Sequence, residues 1–270
     1  MAVTVRAPGA TPADRPEDAF ELRRLDWDTA HFGRSMGVIA TSAAARERDD
    51  ASLEADLTHC LQRASFQGYE HVILRVGVEE LRLARVAESC GLRLVDVAVD
   101  LSMTLRGPRP ASAFGPQVRV AGPDDATAIR VIAQESFRFS RFAEDPFFTA
   151  EQTAEFHRTW VTNLCNGLAD VVIVATASDE IAGFTSCVKQ KDGSGRIPLI
   201  ATGEEHRRQG VGRALVEASL RWFAAAGITH AYVKTQVANY AALALYHRAG
   251  FAPCKGELTY SAQPRREKAV

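Results

Sequence analysis

The stretch RRQGVGRALV, Arg207–Val216, stands where a strand-like pattern gives way to a helical one. It follows the apolar segment RIPLIAT (Arg196–Thr202) and opens a run whose apolar residues repeat at helical spacing. A helix N-terminus presents unpaired backbone N–H groups and a partial positive charge, so it readily binds phosphate. Gly210 and Gly212 let the backbone approach phosphate oxygens closely, and the two preceding arginines add positive charge. The stretch therefore predicts a diphosphate-binding loop.

Two other phosphate-binding motifs are missing from the sequence. The pattern GxxxxGK[ST] does not occur, and no GxGxxG follows the first strand of a βαβ unit. A glycine-rich helix start is common by itself, and arginines at such a place can simply be solvated. The position of the loop between a strand and an amphipathic helix, followed by another strand, favours the phosphate interpretation.

The composition indicates a small-molecule partner. The chain has 270 residues, with 32 Lys+Arg against 33 Asp+Glu and a formal net charge of −1, so no overall field attracts nucleic acid or an anionic membrane. Its five cysteines show no CxxC or metal-type spacing, which favours reduced thiols and no metal. The sequence has no signal peptide and no apolar run of the roughly 18 to 20 residues that span a membrane. We expect a cytoplasmic protein without nucleic-acid or membrane partners, and a homodimer stays open.

Prolines and glycines divide the chain into two parts. Met103–Gln117, MTLRGPRPASAFGPQ, contains three prolines and two glycines. The predicted organisation has a flexible tail, an N-terminal domain, a linker, a C-terminal domain and a second tail, at 1–20, 21–106, 107–117, 118–262 and 263–270. In the C-terminal domain, helical and strand patterns are mixed, which predicts an α/β (α+β) fold with a mixed central sheet flanked by helices. RIPLIAT is expected to form one strand.

The N-terminal half contains a degenerate copy of the C-terminal unit. His71–Leu101 aligns without a gap with His230–Tyr260, and this register pairs Gly91 with Gly250. The same register puts Asp49–Asp50 opposite the glycine loop, where both glycines are lost and acid replaces base. We predict that this copy has lost the phosphate-binding site. The alternative is a chance likeness between two common strand–helix–strand units.

A second motif follows the glycine loop at Asn239–Phe251, NYAALALYHRAGF. The pair of motifs, Arg207-x-x-Gly210-x-Gly212 and Asn239 to Phe251, resembles the GCN5-related N-acetyltransferase (GNAT) superfamily over roughly residues 118 to 260. The resemblance implies the GNAT fold and acetyl-CoA as cosubstrate, with the N-terminal domain as a degenerate GNAT-like copy.

The resemblance also implies roles for individual residues. It places pantetheine along Ile200, Ala201 and Thr202, the diphosphate within Arg207, Arg208, Gln209, Gly210, Val211, Gly212 and Arg213, and a further CoA contact at Asn239. Tyr246 is implied as the proton donor to the leaving CoA thiolate, in a direct transfer within a ternary complex. A backbone N–H of the LIAT strand would stabilise the oxyanion. The base for the acceptor ammonium stays open among Glu135, Glu155, His157 and water.

Further landmarks narrow the resemblance. The segments LDWDTAHFG, SRF, DPFF, FHRTWVTNL, RIPLIAT and TQVANYAALALY are similar, in this order, to the bacterial TDP-fucosamine acetyltransferases. This likeness implies a nucleotide-linked amino sugar, a TDP-4-amino-4,6-dideoxyhexose, as acceptor. It points to Arg141, Phe142, Phe147 and Phe148 as acceptor-binding residues, since such a ligand needs apolar faces and a guanidinium for phosphate.

Other interpretations stay open at this point. The aromatic residues of the SRF and DPFF segments could fill the core while the arginine faces water. The enzyme could act on a protein N-terminus or another small amine, because acceptor loops of one fold serve many substrates. From a different class, the chain could be a non-catalytic CoA-binding regulator.

Overall fold

The computed structural model describes residues 18–107, 115–136 and 139–264, and the structural statements below concern these residues. Most of the predicted N-terminal tail, most of the predicted linker and residues 265–270 of the C-terminal tail lie outside them.

Strands and helices are mixed along the described chain, as the sequence predicts. The strands are β1 (Phe20–Arg24), β2 (Met36–Thr41), β3 (His71–Gly77), β4 (Arg93–Thr104), β5 (Gln117–Val120), β6 (Val171–Ala177), β7 (Glu180–Lys189), β8 (Gly195–Ile197), β9 (Ile200–Thr202), β10 (His230–Gln236) and β11 (Ala252–Ala262). The helices are α1 (Asp26–Phe32), α2 (Asp50–Phe66), α3 (Leu81–Ser89), α4 (Ala126–Ser136), α5 (Arg141–Glu144), α6 (Ala150–Asn163), α7 (Val211–Ala225) and α8 (Tyr240–Ala249). Short helical turns lie at Ala43–Arg46, Pro123–Asp125, Leu164–Leu168 and Glu204–His206.

The described residues form two compact units. The first contains the residues up to Val76, Glu80–Leu94 and those from Tyr260 onward, and the second contains Gly77–Glu79 and the described part of Val95–Thr259. These limits differ from the predicted domain limits at β4, which the sequence assigns to the N-terminal domain. From Val95 onward β4 lies in the second unit because it pairs there, antiparallel, with β10.

The first unit is built on β1, β2 and β3. β1 pairs antiparallel with β2, and β2 pairs parallel with β3. α2 packs on β1 and α3, and the apolar side chains of Leu57, Ile73 and Leu74 are fully buried. The long helix α2 thus gives this small sheet its core.

Element boundaries support the internal repeat. In the register given above, β3 and β10 begin at paired histidines, α3 and α8 begin at paired residues, and α2 and α7 differ by two residues at their start. The glycines behave alike as well, because Gly68 and Gly227 have φ of 79° and 75°, and Gly91 and Gly250 have φ of 81° and 98°. Such positive φ values favour glycine over other residues. The two halves therefore share a helix–strand–helix–strand unit.

The second unit contains a mixed sheet with helices on both faces. Its strand order is β11-β4-β10-β8-β7-β6-β5, with β9 paired to β7, and β10 runs parallel to β8. On one face α7 buries Leu215, Leu220 and Phe223 among residues of the sheet. On the other face α4 and α6 pack against alternate residues of β6 and β7, including Val174 and Phe184. The predicted fold class is confirmed.

The segment RIPLIAT forms two strands rather than the one predicted. β8 ends at Ile197 and β9 begins at Ile200, with Pro198 between them. Proline cannot donate to a strand ladder, so the ladder breaks there. β8 pairs with β7 and β10, whereas β9 pairs with β7 alone among the described strands. The sheet therefore opens between β9 and the second half of β10.

Candidate active site

The opening in the sheet exposes one backbone edge of β9. Two hydrogen bonds to β7 flank Ala201: the Leu199 carbonyl accepts one, and the Gly203 N–H donates the other, each at 2.9 Å. Since backbone groups alternate in an antiparallel ladder, those of Ala201 point to β7 while those of Ile200 and Thr202 point away from it. The edge thus offers N–H and C=O groups to an extended ligand that carries amides.

The glycine loop presents a row of unpaired N–H groups. Gly210, the N-cap of α7, has φ of 86°, and Arg208 is also left-handed with φ of 62°. The backbone N–H groups of residues 208–213 have no hydrogen-bond partner among the residues that the structure describes. Left-handed residues at a helix start turn successive N–H groups toward one point and form an anion-binding concavity. The predicted phosphate loop therefore has the required backbone shape.

Gly212 brings this loop against the two other motifs. A Cβ atom at Gly212 would lie 3.2 Å from Cδ2 of Leu245 on α8 and 3.7 Å from Oγ1 of Thr202 on β9. The close approach shows that the loop, β9 and α8 meet at this residue. Two motifs that lie about thirty residues apart in sequence thus form one site, with the β9 edge beside it.

The polar side chains of the loop lie on the surface. Arg207 is 3.6 Å from Glu204, and Arg213 is 2.7 Å from Glu217. The Gln209 side-chain amide donates to the Glu205 carbonyl in the turn before the loop. Exposed ion pairs are worth only about 0–1 kcal/mol, so these carboxylates do not prevent the arginines from turning to a bound anion.

Asn239 caps α8. Its Oδ1 accepts the backbone N–H of Ala242 at 3.2 Å. The cap satisfies a free N–H in the first turn and fixes where the helix starts. The structure therefore gives Asn239 a structural role, and its contact with CoA stays a prediction.

Tyr246 lies in the second half of α8 with its ring in the core. The residue is 3% exposed, and its ring meets Phe251 edge-on at 5.8 Å between centroids. Its hydroxyl has no hydrogen-bond partner among the described residues. Burial raises the pKa of Tyr246 well above its ordinary value. The phenol is therefore neutral at physiological pH, as a proton donor must be.

The corresponding place in the first unit holds carboxylates of the protein itself. Asp49 caps α2 by accepting the Ser52 N–H at 2.7 Å, and Asp50 receives a 2.5 Å hydrogen bond from Arg82. The hydrogen bonds from Ser52 lower the pKa of Asp49, which keeps it ionised. Negative charge already sits where a phosphate would bind, which agrees with the predicted loss of that site.

The predicted acceptor residues are only partly accessible. Phe142 and Phe148 are buried, with ring centroids 5.0 Å apart, and Phe142 also packs on Phe156 at 4.1 Å. Arg141 and Phe147 are half-buried, and the Arg141 guanidinium lies 4.0 Å above the Phe142 ring. The burial of Phe142 and Phe148 assigns them packing, and a contact with an acceptor stays a prediction for all four.

The surroundings of the three side chains left open as base do not single out one of them for proton transfer. His157 is buried, its Nδ1 lies 2.9 Å from the Thr153 carbonyl oxygen, and burial lowers its pKa to about 4. Glu155 pairs with Arg158 on the helix surface, and Glu135 is exposed. A buried neutral histidine held by its own helix is a packing residue, and nothing around the glutamates distinguishes them from surface carboxylates.

A polar cluster on β4, β8, β10 and β11 was not predicted. Lys234 lies 2.8 Å from Glu257 and 3.7 Å from Asp100, and Arg196 lies 3.2 Å from Asp100. Asp96 stands on the same strand as Asp100. Alternation in VDVAVDL would have put both aspartates on one face. It could not have shown that β4 pairs with β10, because that pairing joins distant parts of the chain.

The fold, the exposed β9 edge and the glycine loop are the arrangement expected of a CoA-dependent acyltransferase, and the comparisons agree with this class. Residues 132–251 match the model of the acetyltransferase (GNAT) family. Residues 132–251 therefore form a GNAT-type N-acetyltransferase segment, from a family that uses acetyl-CoA as cosubstrate. The predicted family and enzyme class are confirmed.

Relatives extend the similarity beyond the matched segment. The chain is 27% identical over 231 residues to dTDP-fucosamine acetyltransferase of Escherichia coli O6:H1 (strain CFT073), which covers 85% of this chain and 92% of that protein. It is 27% identical over 145 residues to the spore coat polysaccharide biosynthesis protein SpsD of Bacillus subtilis (strain 168), covering 54% of this chain and 50% of the relative. A GCN5-related N-acetyltransferase from Sphaerobacter thermophilus has the same fold, with a TM-score of 0.65 at 18% identity over 92% of this chain and 77% of that one.

Within the described residues, no helix has the length and apolar character needed to cross a membrane. The same part of the chain has no group of three or more His, Cys, Asp or Glu side chains that could hold a metal ion.

Proposed function

We propose that this enzyme transfers the acetyl group of acetyl-CoA to the amine of a TDP-4-amino-4,6-dideoxyhexose, in a ternary complex. The observation that carries the proposal is the extent of the similarity to dTDP-fucosamine acetyltransferase, which spans 85% of this chain and 92% of that enzyme. This similarity is much longer than residues 132–251, which match the family as a whole. A likeness that includes the N-terminal half favours a shared acceptor over the fold alone.

In this proposal, acetyl-CoA binds along the opening in the second unit. The pantetheine amides pair with the outward backbone groups of Ile200 and Thr202. The diphosphate binds to the unpaired N–H groups of residues 208–213, with Arg207, Arg208 and Arg213 supplying charge. Two observations support this: the ladder alternation of β9, and the convergence of loop, β9 and α8 at Gly212.

The chemistry is a direct displacement. The uncharged amine attacks the thioester carbonyl, and an outward N–H of β9 donates a hydrogen bond to the developing oxyanion. The carbon–sulfur bond then breaks, and the leaving CoA thiolate takes the phenolic proton of Tyr246. The proton that the nitrogen loses as the amide forms restores the phenol. The buried, neutral phenol suits this donation, and no covalent enzyme intermediate is needed.

The acceptor is proposed to bind beside the SRF and DPFF segments. Arg141 would face the diphosphate, and the half-buried Phe147 would provide an apolar surface for the sugar or base. Binding energy from the remote nucleotide then contributes to catalysis, so a free amino sugar should react poorly.

A substrate screen tests the proposal. TDP-4-amino sugars, UDP-4-amino sugars, the free amino sugar and peptides with free N-termini are each incubated with acetyl-CoA, and CoA thiol release is followed. We expect the highest kcat/KM with a TDP-linked sugar. Equal kcat/KM for free and nucleotide-linked sugars, or a preference for peptides, would contradict this acceptor while leaving the acetyltransferase assignment in place.

A further inference from the structure

The opening in the sheet has a base, where the backbone pairing of β8 with β10 ends. The last pair of this ladder is Ile197 with Val233. Pro198 follows Ile197 and has no backbone N–H to donate, and the chain then continues as β9 along β7. Lys234 is therefore the first residue of β10 beyond its pairing with β8, and it stands at the base of the opening.

Beyond this base, β10 keeps one partner among the described strands, which is β4. Residues 234–236 of β10 pair antiparallel with residues 98–100 of β4. In the sequence β4 precedes the linker, so the N-terminal half supplies the strand that holds this side of the opening. The position of β10 relative to β9 sets the width that is available to an extended ligand.

Side chains of the polar cluster cross the base of the opening. The Asp100 carboxylate accepts a hydrogen bond from the Arg196 guanidinium at 3.2 Å and lies 3.7 Å from the Lys234 ammonium. Asp100 is on β4 and Arg196 is on β8, on opposite sides of β10, so their ion pair spans β10. Glu257 of β11 lies 2.8 Å from Lys234. The cluster thus links four neighbouring strands at the level where the ladder of β8 and β10 ends.

The cluster lies on the face of the sheet opposite α7. Leu101 of β4 and Val233 of β10 are register partners, and both are buried in the core under α7. Asp100 and Lys234 are the neighbours of these two residues and pair with each other, so their side chains point to the other face. The cluster therefore adds a charged contact between strands on the side that the core under α7 does not hold.

The direction of β9 relates this base to the phosphate loop. The last residue of β9, Thr202, is the one that Gly212 approaches, with 3.7 Å from a Cβ atom at Gly212 to Oγ1 of Thr202. The first residue, Ile200, is separated from the end of β8 by Pro198 and Leu199 alone. A cosubstrate with its diphosphate at the loop and its pantetheine along β9 therefore places its thioester toward the base of the opening.

Neither stability nor ligand charge accounts for the cluster. Replacing buried ion pairs by apolar residues of similar volume is often neutral or stabilising, so a packed apolar group would serve the fold as well. Two cations and two anions balance, so the cluster as a whole does not attract a charged ligand. Ion pairs do hold strands at one separation, because their energy depends on distance and on hydrogen-bond direction.

We propose that Asp100, contributed by the N-terminal half, is a positioning residue of the acetyltransferase. By holding Arg196 and Lys234, its carboxylate fixes the width of the opening at the base and thereby the placement of the thioester. The inference rests on one part of the proposed function, the binding of acetyl-CoA along β9 with its diphosphate at residues 208–213. It gives the N-terminal half a role in catalysis although that half has lost the phosphate-binding site.

The first test is Asp100→Asn, which removes the charge and keeps the shape of the side chain. A misplacement of about 1 Å can cost on the order of 10²-fold in rate, so we expect kcat to fall about 10- to 100-fold. The affinity for acetyl-CoA, measured by calorimetry, should stay close to the wild-type value, because the contacts of the diphosphate with the loop are unchanged. The acceptor in the assay is the best amine found in the substrate screen.

Asp125→Asn is the matched control. Asp125 and Asp100 are 8% and 9% exposed, and Asp125 is likewise bound by an arginine, Arg119 of the edge strand β5, at 2.8 Å. Both substitutions should lower the free energy of unfolding, measured with denaturant, but only Asp100→Asn should lower kcat. A loss of stability in Asp100→Asn with wild-type kcat would overturn the inference, because it would leave the residue a structural role alone.

Variants of Arg196 decide the question if Asp100→Asn does not fold. The Arg196 side chain is 38% exposed, so its substitution disturbs the interior less. Arg196→Gln should lower kcat, and Arg196→Lys, which keeps the positive charge, should restore most of it. Wild-type kcat in Arg196→Gln would contradict the inference.

A double variant tests whether the two residues act together. Asp100→Asn and Arg196→Gln break the same contact, so the enzyme that carries both should be no slower than Asp100→Asn alone. Effects on kcat that multiply in the double variant would show that the two side chains act independently, which is incompatible with the proposed role.

Failure of the proposed function gives a different result. If a peptide or a simple amine is the preferred acceptor, kcat is measured with that amine, and the expected loss in Asp100→Asn is the same. If acetyl-CoA does not bind at the loop, Gly210→Asp keeps wild-type affinity, which refutes the placement of the cosubstrate and this inference with it. If Gly210→Asp does lose affinity, wild-type kcat in Asp100→Asn refutes the positioning role alone.

Discussion

At the scale of single residues, Tyr246 combines a ring that is 3% exposed with a hydroxyl that has no partner among the described residues. Tyr246→Phe removes the proton and keeps the ring, so the packing against Phe251 is retained. We expect kcat to fall about 10²- to 10⁴-fold while acetyl-CoA affinity changes little. Steady-state kinetics with calorimetric binding measures both. Unchanged kcat, under conditions where chemistry limits turnover, would assign Tyr246 to packing alone.

Substitution of Gly210 can be tested against a matched control, Gly193, so that the effect of backbone strain is separated from that of anion repulsion. Gly210 and Gly193 have nearly equal φ, 86° and 82°. Gly193 lies in the turn before β8, where a Cβ atom would have no other atom within 4 Å. Gly210→Asp and Gly193→Asp therefore introduce similar strain, at about 1–3 kcal/mol each. Only the first places a carboxylate beside the unpaired N–H groups of the loop.

We expect acetyl-CoA affinity to fall at least 10²-fold in Gly210→Asp, because like charges repel and charged hydrogen bonds worth about 1.5–3 kcal/mol each are lost. Gly193→Asp should bind acetyl-CoA as the wild type does. Calorimetry on both variants decides the point: equal loss in the two would mean that strain, and not the phosphate site, explains the effect.

At the scale of elements, Asn239 at the start of α8 has two roles to separate. It caps the helix, and it is predicted to contact CoA. Asn239→Ala removes the cap on Ala242, so the free energy of unfolding should fall by about 1 kcal/mol. Asn239→Asp and Asn239→Ser keep a capping oxygen and lose the amide. If the side chain only caps the helix, these two variants keep both stability and acetyl-CoA affinity. A loss of affinity in them at unchanged stability, measured by denaturant unfolding and calorimetry, would show the predicted CoA contact.

The elements that sequence reasoning predicts correctly are those fixed by neighbouring residues. The glycine loop, the start of α7 and the end of α8 at Gly250 follow from turn chemistry and helical spacing within a few residues. The break at Pro198 was visible in the sequence, yet an apolar, β-branched run around it favoured one strand. The split into β8 and β9 depends on β10 pairing with the first piece only, which is a tertiary fact.

At the scale of the whole molecule, the least predictable feature is the membership of β4. Its alternating pattern indicates a strand, but no local signal says that Ala98–Thr104 pairs with His230–Gln236, far along the chain. The polar cluster of Asp100, Arg196, Lys234 and Glu257 could not be predicted for the same reason, since Asp100 lies on β4.

The internal repeat makes a prediction about the number of cosubstrates that a chain binds. Each half has a helix preceded by a loop at the corresponding place, so a fully functional repeat would bind two molecules of acetyl-CoA. In the first unit, however, Asp49 caps α2 and Asp50 is held by Arg82, so two carboxylates occupy the helix start. An incoming diphosphate would have to displace Asp49 from its hydrogen bond and would meet negative charge, both of which oppose binding.

We therefore expect a binding stoichiometry of one acetyl-CoA per chain in a calorimetric titration. The site can be located with the same experiment, because Gly210→Asp in the second unit should remove the single binding event, whereas Asp50→Asn in the first unit should leave it unchanged. A stoichiometry near two in the wild type, or residual full-affinity binding in Gly210→Asp, would show that the first unit has kept a phosphate site despite its acidic helix start. That result would make the N-terminal half a candidate for a second catalytic or regulatory centre.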